Sequence, residues 1–273
     1  MMELMGMLAW PFMRRALLAG ILVSLCAALL GVPLVLKRYS MIGDGLSHVS
    51  FGALAVAVAL GITPLYFSIP VVILSAFFLL RLANSGSRMG NDAAIAVVSA
   101  SALAIGIMVI SLTTGMTTDV DNYMFGSVLA MTETDVLLAA VVCAAVLALF
   151  VLFYHRLFAI TFDENFARAT GMRVELYNTL LSILTALTIV LGMRMMGAML
   201  ISSLVIFPAL TAMRLFRSFR GVVLCAGTTA VLCFCAGLTI SYLKSTPVGA
   251  TVVTANLLIF LLACTMERLR KRG

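Results

Sequence analysis

Apolar runs of about 20 residues recur along this chain and leave it few ways to fold. A run of this length crosses the hydrocarbon core of a bilayer as an α-helix, in which every backbone polar group has an internal partner. The sequence therefore predicts an all-α protein, with one transmembrane domain over residues 1–273 built as a helical bundle of about 8–9 spans. The runs lie near residues 15–36, 41–60, 64–82, 93–112, 135–154, 177–193, 195–213, 221–243 and 248–266.

Composition and charge support a membrane protein and argue against a nucleic-acid partner. Of the 273 residues, 63% are hydrophobic and 11% are charged, whereas soluble domains are about 45–50% apolar. The net charge of +7 arises from basic residues that lie between apolar runs and at the C-terminus, as in cytoplasmic loops. We expect a multi-pass protein of the inner or plasma membrane, surrounded by the lipid bilayer.

The distribution of charge predicts which side each connection occupies. If each run crosses the membrane, most basic residues fall on one side, which is cytoplasmic by the positive-inside rule. The loop between residues 113 and 135 carries four acids and no basic residue, so we place it outside and expect a short, covered helix at 121–129. Arg14 and Arg15 also fall outside, which leaves an irregular first span, or an N-terminus that turns back inside, as open alternatives.

The strongest candidate for chemistry is the segment 43–48, which reads Gly-Asp-Gly-Leu-Ser-His. Asp44 and His48 are four residues apart, so they share one face of a helix with Cβ atoms about 5–6 Å apart. Gly52 continues that face, and Ser47 lies beside it. Ionisable residues inside a membrane helix are costly and indicate a transport pathway or a ligand site.

A carboxylate oxygen and a neutral imidazole nitrogen suit zinc, and also manganese or iron(II). One chain supplies only two such ligands on this turn, so we expect a homodimer whose two-fold axis brings two Asp44 and two His48 side chains together. Two other interpretations stay open, a metal-free hydrogen bond between Asp44 and His48 and a proton relay.

The longest cytoplasmic connection, residues 155–176, predicts a short helix at about 161–171. Thr161 and Glu164 have the spacing of a capping box, and Gly171 is placed to end the helix. Phe162 and Phe166 then lie on one face. This helix is either an ordinary interfacial helix or a docking element for a cytoplasmic partner.

Other features bear on mechanism more weakly. Pro208 interrupts an apolar run, which predicts a kink that serves either shape alone or a moving gate.

No G-x-x-x-x-G-K-[ST] phosphate loop occurs in the chain, so any ATP hydrolysis requires a separate subunit. No nucleophile–base arrangement stands out. We therefore expect a transport subunit that is not an enzyme and that holds no permanently bound cofactor.

Together these motifs resemble the membrane permease subunit of zinc- and manganese-type ABC importers over nearly the whole chain. The most specific marker is the segment 43–48 after the basic pair Lys37-Arg38. Further matching segments are Tyr123-Met124-Phe125-Gly126 with Asp135, Phe162-Asp163-Glu164-x-x-Ala167-x-x-x-Gly171, Met196-Gly197-Ala198-Met199-Leu200 leading to Phe207-Pro208-Ala209 and Arg214, and Pro247-x-Gly249-Ala250.

The resemblance implies a permease of the type II ABC importer kind that carries a divalent transition metal ion, zinc, manganese or iron, by alternating access. It implies a homodimer with a cytoplasmic ABC ATPase dimer and an extracytoplasmic metal-binding protein that delivers the ion. Asp44 and His48 match metal-contacting positions, with Ser47 and Gly52 beside the pathway. The coupling helix that docks on the ATPase is matched by Asp163, Glu164, Phe166, Ala167 and Gly171.

Two departures and two alternatives accompany this resemblance. The family often has an acid where this chain has Ser245, with Lys244 beside it, and Gly45 replaces the more usual alanine. The first alternative is an ABC permease for a metal chelate such as a siderophore, in which Asp44 and His48 are dispensable. The second is a proton-coupled secondary carrier that works without ATP.

Overall fold

A computed structural model describes residues 10–84, 91–113 and 131–272. Within these ranges the chain forms eleven α-helices and no strand, which confirms the all-α prediction. The helices are α1 (Pro11–Leu36), α2 (Ile42–Ala59), α3 (Pro64–Asn84), α4 (Asn91–Thr113), α5 (Glu133–Leu152), α6 (Tyr154–Phe162), α7 (Glu164–Ala169), α8 (Val174–Met196), α9 (Ala198–Leu215), α10 (Phe219–Lys244) and α11 (Val248–Arg272).

Eight of the described helices are long and apolar enough to cross a bilayer, all except α3, α6 and α7. The described apolar part of α3 is shorter, Tyr66–Leu79, but the packing of its neighbours requires α3 to cross as well. Gly45 of α2 lies against Ile95 of α4, and Gly52 lies against Ala102. Because both helices advance in the same direction, the intervening helix α3 must return across the bundle.

Ion pairs mark the two ends of the bundle. Arg15, near the start of α1, pairs with Glu133 at the start of α5, whereas Lys37, just after α1, pairs with Glu164 at the start of α7. Most basic residues of the described ranges lie at the Lys37 end, which is therefore the cytoplasmic end. An irregular first span, one of the two open alternatives, is not observed within residues 10–36, since α1 is one continuous helix. The outer charge of Arg15 has an acidic partner in Glu133.

Four helices form the centre of the bundle. Most residues of α1, α2, α8 and α9 are buried, whereas α4, α5 and α11 leave much of their surface open at the periphery. The central helices approach closely where side chains are small. A Cβ added to Gly31 of α1 would lie 2.0 Å from the carbonyl oxygen of Val205 in α9, so the α1–α9 contact depends on glycine at this position.

The predicted start of the cytoplasmic helix at Thr161 is wrong. Thr161 lies inside α6, where its hydroxyl donates to the carbonyl oxygen of Leu157 at 2.6 Å. The helix α7 begins at Glu164, and its N-cap is Asp163, whose Oδ1 accepts from the backbone N–H of Phe166 at 2.9 Å. Aspartate is as good an N-cap as threonine or better. The helix predicted at 121–129 lies outside the described residues.

Candidate metal site

Residues 42–55 of helix α2 are enclosed by protein except where Asp44 and His48 lie. Between residues 42 and 55, all positions except 44 and 48 are buried. The side chains of Asp44 and His48 are 41% and 19% exposed, respectively, in the single chain. The one opening along this part of the helix therefore coincides with its only two ionisable side chains.

The two side chains are spaced for a shared ligand. His48 Nε2 lies 3.6 Å from Asp44 Oδ1, which is beyond hydrogen-bonding distance, so the metal-free hydrogen bond is not observed. Zinc bonds of about 2.1 Å in a tetrahedral arrangement place neighbouring ligand atoms about 3.4 Å apart. The observed separation is close to one edge of such a tetrahedron.

Among the described residues, no further ligand of the usual kinds joins Asp44 and His48. Across residues 10–84, 91–113 and 131–272, no group of three or more His, Cys, Asp or Glu side chains could hold a metal ion together. The two ligands of Asp44 and His48 would therefore need completion by water or by a second chain.

Two glycines of α2 allow a close approach to α4. A Cβ at Gly45 would lie 2.6 Å from Cγ2 of Ile95, and one at Gly52 would lie 2.6 Å from the carbonyl oxygen of Ala102. Both contacts are with α4. Gly45 thus permits the close approach of a neighbouring helix. The sequence predicts Gly52 beside a pathway, and in the single chain it lies in this helix contact.

Ser47 faces α9 rather than the opening at Asp44 and His48. Its side chain is buried, and its hydroxyl donates to the carbonyl oxygen of Asp44 at 2.7 Å. Ser202 Oγ lies 3.4 Å away. A place for Ser47 beside a metal pathway therefore stays a prediction, and in the single chain its role is to fasten the first turn of α2.

The cytoplasmic helix α7 is closed at both ends by local hydrogen bonds. Asp163 caps its start. At its end the N–H groups of Gly171 and Met172 donate to the carbonyl oxygens of Arg168 and Ala167, which is the Schellman arrangement. Gly171 has a φ of +82°, the left-handed conformation that this arrangement requires and that glycine adopts without strain. The predicted helix end at Gly171 is confirmed.

The side chains of α7 divide into an inner and an outer set. Ala167 is buried against the bundle, whereas Phe166 is 66% exposed. Phe162, in the preceding helix, is also exposed and contacts Phe158 with ring centroids 4.9 Å apart. An aromatic surface therefore remains open at the cytoplasmic end of the molecule, and Phe166 is its part within α7.

Glu164 points into the protein, although it was predicted among the residues that dock on a partner. Its Oε1 accepts from Lys37 Nζ at 2.5 Å and from Asn178 Nδ2 at 3.0 Å. Lys37 Nζ also donates to Asn178 Oδ1 at 2.7 Å. These three residues, here called the Lys37 triad, connect the end of α1, the start of α7 and the start of α8.

Burial and pairing shift the pKa values of the two charged members of the Lys37 triad. Burial lowers the pKa of Lys37 below its ordinary value, and the Glu164 carboxylate offsets only part of this effect. Burial alone would raise the pKa of Glu164, but hydrogen bonds from Lys37 and Asn178, with the charges of Lys37 and Arg168, lower it overall. Pairing thus favours the charged form of Lys37 while burial opposes it, whereas at Glu164 the hydrogen bonds and nearby charges outweigh burial and favour the carboxylate.

Little in the sequence indicates that Lys37 and Asn178 are partners of Glu164. Lys37 could be seen only as one of several basic residues after an apolar run, and Asn178 only as a polar residue near the start of another. Partners that are 127 and 14 residues away from Glu164 leave no local spacing.

Pro208 lies inside α9 and is buried. The neighbouring Phe207 contacts Phe260 of α11 edge to face, with ring centroids 6.0 Å apart. Pro208 is thus part of the central helix that packs against Ser47 and Gly43 of α2. A gating role for Pro208 stays a prediction.

Comparisons with known proteins agree with this architecture. A model of the ABC 3 transport family matches residues 9–267. The high-affinity zinc uptake system membrane protein ZnuB of Haemophilus influenzae is 32% identical over 248 residues, which cover 91% of this chain and 95% of that protein. The manganese transport system membrane protein MntC of Listeria monocytogenes is 28% identical over 263 residues, which cover 96% of this chain and 93% of that protein.

A solved structure shows the same fold. PsaBC from Streptococcus pneumoniae, in complex with Fab, matches this chain with a TM-score of 0.85 and 30% sequence identity, covering 95% of this chain and 93% of that chain. The family match spans nearly all of the sequence, and the helices crossing the bilayer are those of a multi-pass membrane protein. The chain therefore belongs to the ABC 3 transport family, the permeases of metal-transporting ABC systems.

Proposed function

We propose that this chain is the permease subunit of an ATP-driven importer for a divalent transition metal ion, and that the ion passes between Asp44 and His48. The single observation that carries this proposal is the opening on α2. In a stretch of helix that is otherwise buried, a carboxylate and an imidazole face out together with 3.6 Å between Oδ1 and Nε2. Zinc, manganese and iron(II) all accept this pair of ligands.

The pathway lies between two copies of the chain in this proposal. One copy provides two ligands, and a two-fold axis that passes beside α2 would bring the same two residues from the second copy. Two aspartates and two histidines neutralise a divalent ion and complete four-coordination. Such a site binds an ion without closing around it, since each half belongs to a different subunit that can move.

The ATPase and the delivery of metal come from other subunits in this proposal. We assign the ATPase contact to α7 and its exposed Phe166, with Asp163 and Gly171 holding the helix in shape. The family match and the similarity to zinc and manganese system membrane proteins support this division of labour. A solute-binding protein would deliver the ion at the end where α1 begins, and alternating exposure of the Asp44–His48 site would carry it inward.

Metal accumulation in a host that lacks its own importers tests the assignment. With the ATPase and binding protein present, we expect Asp44→Asn and His48→Ala each to reduce accumulation of Zn²⁺ or Mn²⁺ by about tenfold or more, because each removes a ligand from both halves of the site. Cell-associated metals are measured for several ions, so the same experiment identifies the preferred one.

The matched control is His155→Ala. His155 is the second histidine of the chain, and it is exposed and lies outside the opening on α2. We expect normal accumulation from this variant. Parental accumulation by Asp44→Asn and His48→Ala at normal membrane levels would show that the ion does not pass between these side chains. Accumulation that persists when the ATPase is inactivated would instead refute the ATP-driven importer.

A further inference from the structure

The Lys37 triad lies between the two functional parts of the chain. Glu164 is the first residue of α7, and Asp44 follows Lys37 by seven positions. The Lys37 side chain is only 8% exposed, and that of Glu164 is 31% exposed. Asn178, which bonds to both, is buried as well. The start of the proposed docking helix is thus tied directly to the segment that enters the Asp44–His48 helix.

The connection from Lys37 to α2 is short and is held by backbone hydrogen bonds at both ends. After α1, the N–H groups of Arg38 and Tyr39 donate to the carbonyl oxygens of Val35 and Leu34, which closes the helix in a Schellman arrangement. The Tyr39 carbonyl oxygen then accepts from the N–H of Ile42, the first residue of α2. A displacement of Lys37 is therefore transmitted to α2 through a tight turn and not through a long, flexible loop.

The backbone conformation of Arg38 restricts the shape of this turn. Its φ is +63°, a left-handed conformation that few residues other than glycine adopt. A strained residue keeps such a conformation only where the surrounding structure fixes it. Here the side chain of Tyr39 is buried on one side, and the Lys37 triad holds the other. The turn from Lys37 to Met41 thus behaves as a rigid connector.

Stability alone is a weak explanation for the triad. The loss of hydration offsets most of the attraction within a buried ion pair, which therefore adds little net stability, whereas it fixes geometry strongly. The exposed ion pair Arg168–Glu175 also joins α7 to α8, with the nearest atoms 3.3 Å apart. A pair of that kind contributes little. The Lys37 triad, in contrast, extends the contact of α7 to the end of α1 and so to the turn before α2.

We propose that Lys37, Glu164 and Asn178 are positioning residues that make α7 and the turn before α2 move as one body, so that movement of α7 resets the Asp44–His48 helix. This inference rests on the proposed function, because it assigns α7 to the ATPase contact. It gives Glu164 a role inside the permease and leaves the partner contact to Phe166. Coupling between ATP hydrolysis and metal movement then depends on three buried or half-buried side chains that touch neither the ion nor the ATPase.

Transport by the reconstituted complex tests the linkage. The permease, its ATPase and its binding protein are placed in liposomes, and the amount of Zn²⁺ or Mn²⁺ imported per ATP hydrolysed is measured. We expect Glu164→Gln and Lys37→Gln to lower this ratio by about fivefold or more, while the ATPase still co-purifies because Phe166 is unchanged. Lys37→Arg keeps the charge and the donors and should restore most of the ratio. Glu175→Gln, which removes the carboxylate of the exposed pair, is the matched control and should behave as the parent.

A second measurement covers the case in which a lone buried charge prevents folding. The double variant Lys37→Gln/Glu164→Gln has no unpaired charge and retains polar side chains. In the parent complex we expect nucleotide binding to change the amide exchange of residues 39–48 together with that of residues 164–169. In the double variant the change should persist at 164–169 and disappear at 39–48. A nucleotide response at 39–48 equal to the parental one would overturn the linkage.

The two proposals can fail separately. If the parent imports metal and Asp44→Asn does not, but the ratio for Glu164→Gln and Lys37→Gln equals that of the parent, the linkage is wrong and the metal pathway stands. If the parent complex imports neither ion, yet the nucleotide response at 39–48 depends on the triad, the linkage stands and the choice of cargo is wrong.

Discussion

Lys37 is a charged residue whose side chain is buried and which links three helices. Its ammonium group is buried with a single carboxylate, Glu164, as its direct ionic partner among the described residues. The other charges that act on this pair come from Glu175 and Arg168. Burial, and to a lesser degree the charge of Glu164, raises the pKa of the nearby Tyr39. That phenol therefore stays neutral through the mildly alkaline range.

Removal of the carboxylate should make stability depend on pH at this one residue. The folded-state pKa of Lys37 is lowered, so its charge costs stability below that pKa, and the cost disappears as pH rises toward the unfolded value of about 10.4. In Glu164→Gln the cost is larger, because the offsetting charge is gone. We expect the melting temperature of Glu164→Gln in detergent to lie below that of the parent at about pH 7 and to approach it at about pH 9.5.

The comparison variant for this prediction is Lys37→Gln/Glu164→Gln, which lacks both titrating groups. Because it lacks both groups, its melting temperature should differ from that of the parent only by the titration of the paired Lys37, and this difference should change less over the same interval than the difference for Glu164→Gln. An equal, pH-independent loss in Glu164→Gln would show that Lys37 does not stay buried in the folded chain. Glu164 itself has a lowered pKa, so its stabilising contribution is present above the unfolded value of about 4.3 and is lost as pH falls through the folded value.

Asp44 and His48 could be found from sequence because their signal is local. Two ionisable residues four positions apart in an apolar run share a helix face whatever surrounds them. The positions of Ser47 and Gly52 depend on α9 and α4, which lie elsewhere in the chain. Helical spacing places such residues near a face, but only the packing of other helices decides which face is covered.

At the scale of single elements, the boundary between α6 and α7 shows how sequence signals compete. Thr161 and Asp163 are both suitable N-caps, and Glu164 follows Thr161 at the spacing of a capping box. The preceding segment continues as helix through Phe162, so the Thr161 hydroxyl bonds backward to Leu157. The carboxylate of Glu164 is drawn to Lys37, far away in sequence. A long-range ion pair thus selects one of two local caps.

This choice predicts different effects from two neighbouring substitutions. Asp163→Ala removes the acceptor for the Phe166 N–H and should cost about 1 kcal/mol of local helix stability. We expect exchange of the Phe166 amide to accelerate about fivefold, which is the same free energy expressed as a rate. Thr161→Val removes only a hydroxyl that bonds within α6, and it should leave Phe166 unchanged. If exchange of the Phe166 amide were faster in Thr161→Val and unchanged in Asp163→Ala, Thr161 and not Asp163 would be the N-cap of α7.

At the scale of the whole molecule, hydrophobicity defines the spans but not their arrangement. All nine predicted runs correspond to helices of the bundle. The sequence could not show that α1, α2, α8 and α9 are central, because in a bilayer both the lipid-facing and the protein-facing surfaces of a helix are apolar. The contacts are chosen instead by small residues such as Gly31 and Gly52 and by charges at the helix ends.

The ion pairs at the two ends fix an orientation that reporter fusions can check. Arg15–Glu133 marks the outer end and Lys37–Glu164 the cytoplasmic end, so the connection after Lys244 is outside and that after Arg217 is inside. Because basic residues are retained in the cytoplasm, alkaline phosphatase fused after Lys244 should be active and the same enzyme fused after Arg217 inactive. A fluorescent protein fused at each position should give the opposite pattern. Active phosphatase after Arg217 would invert the bundle and place α7, with Phe166, on the side that an ATPase cannot reach.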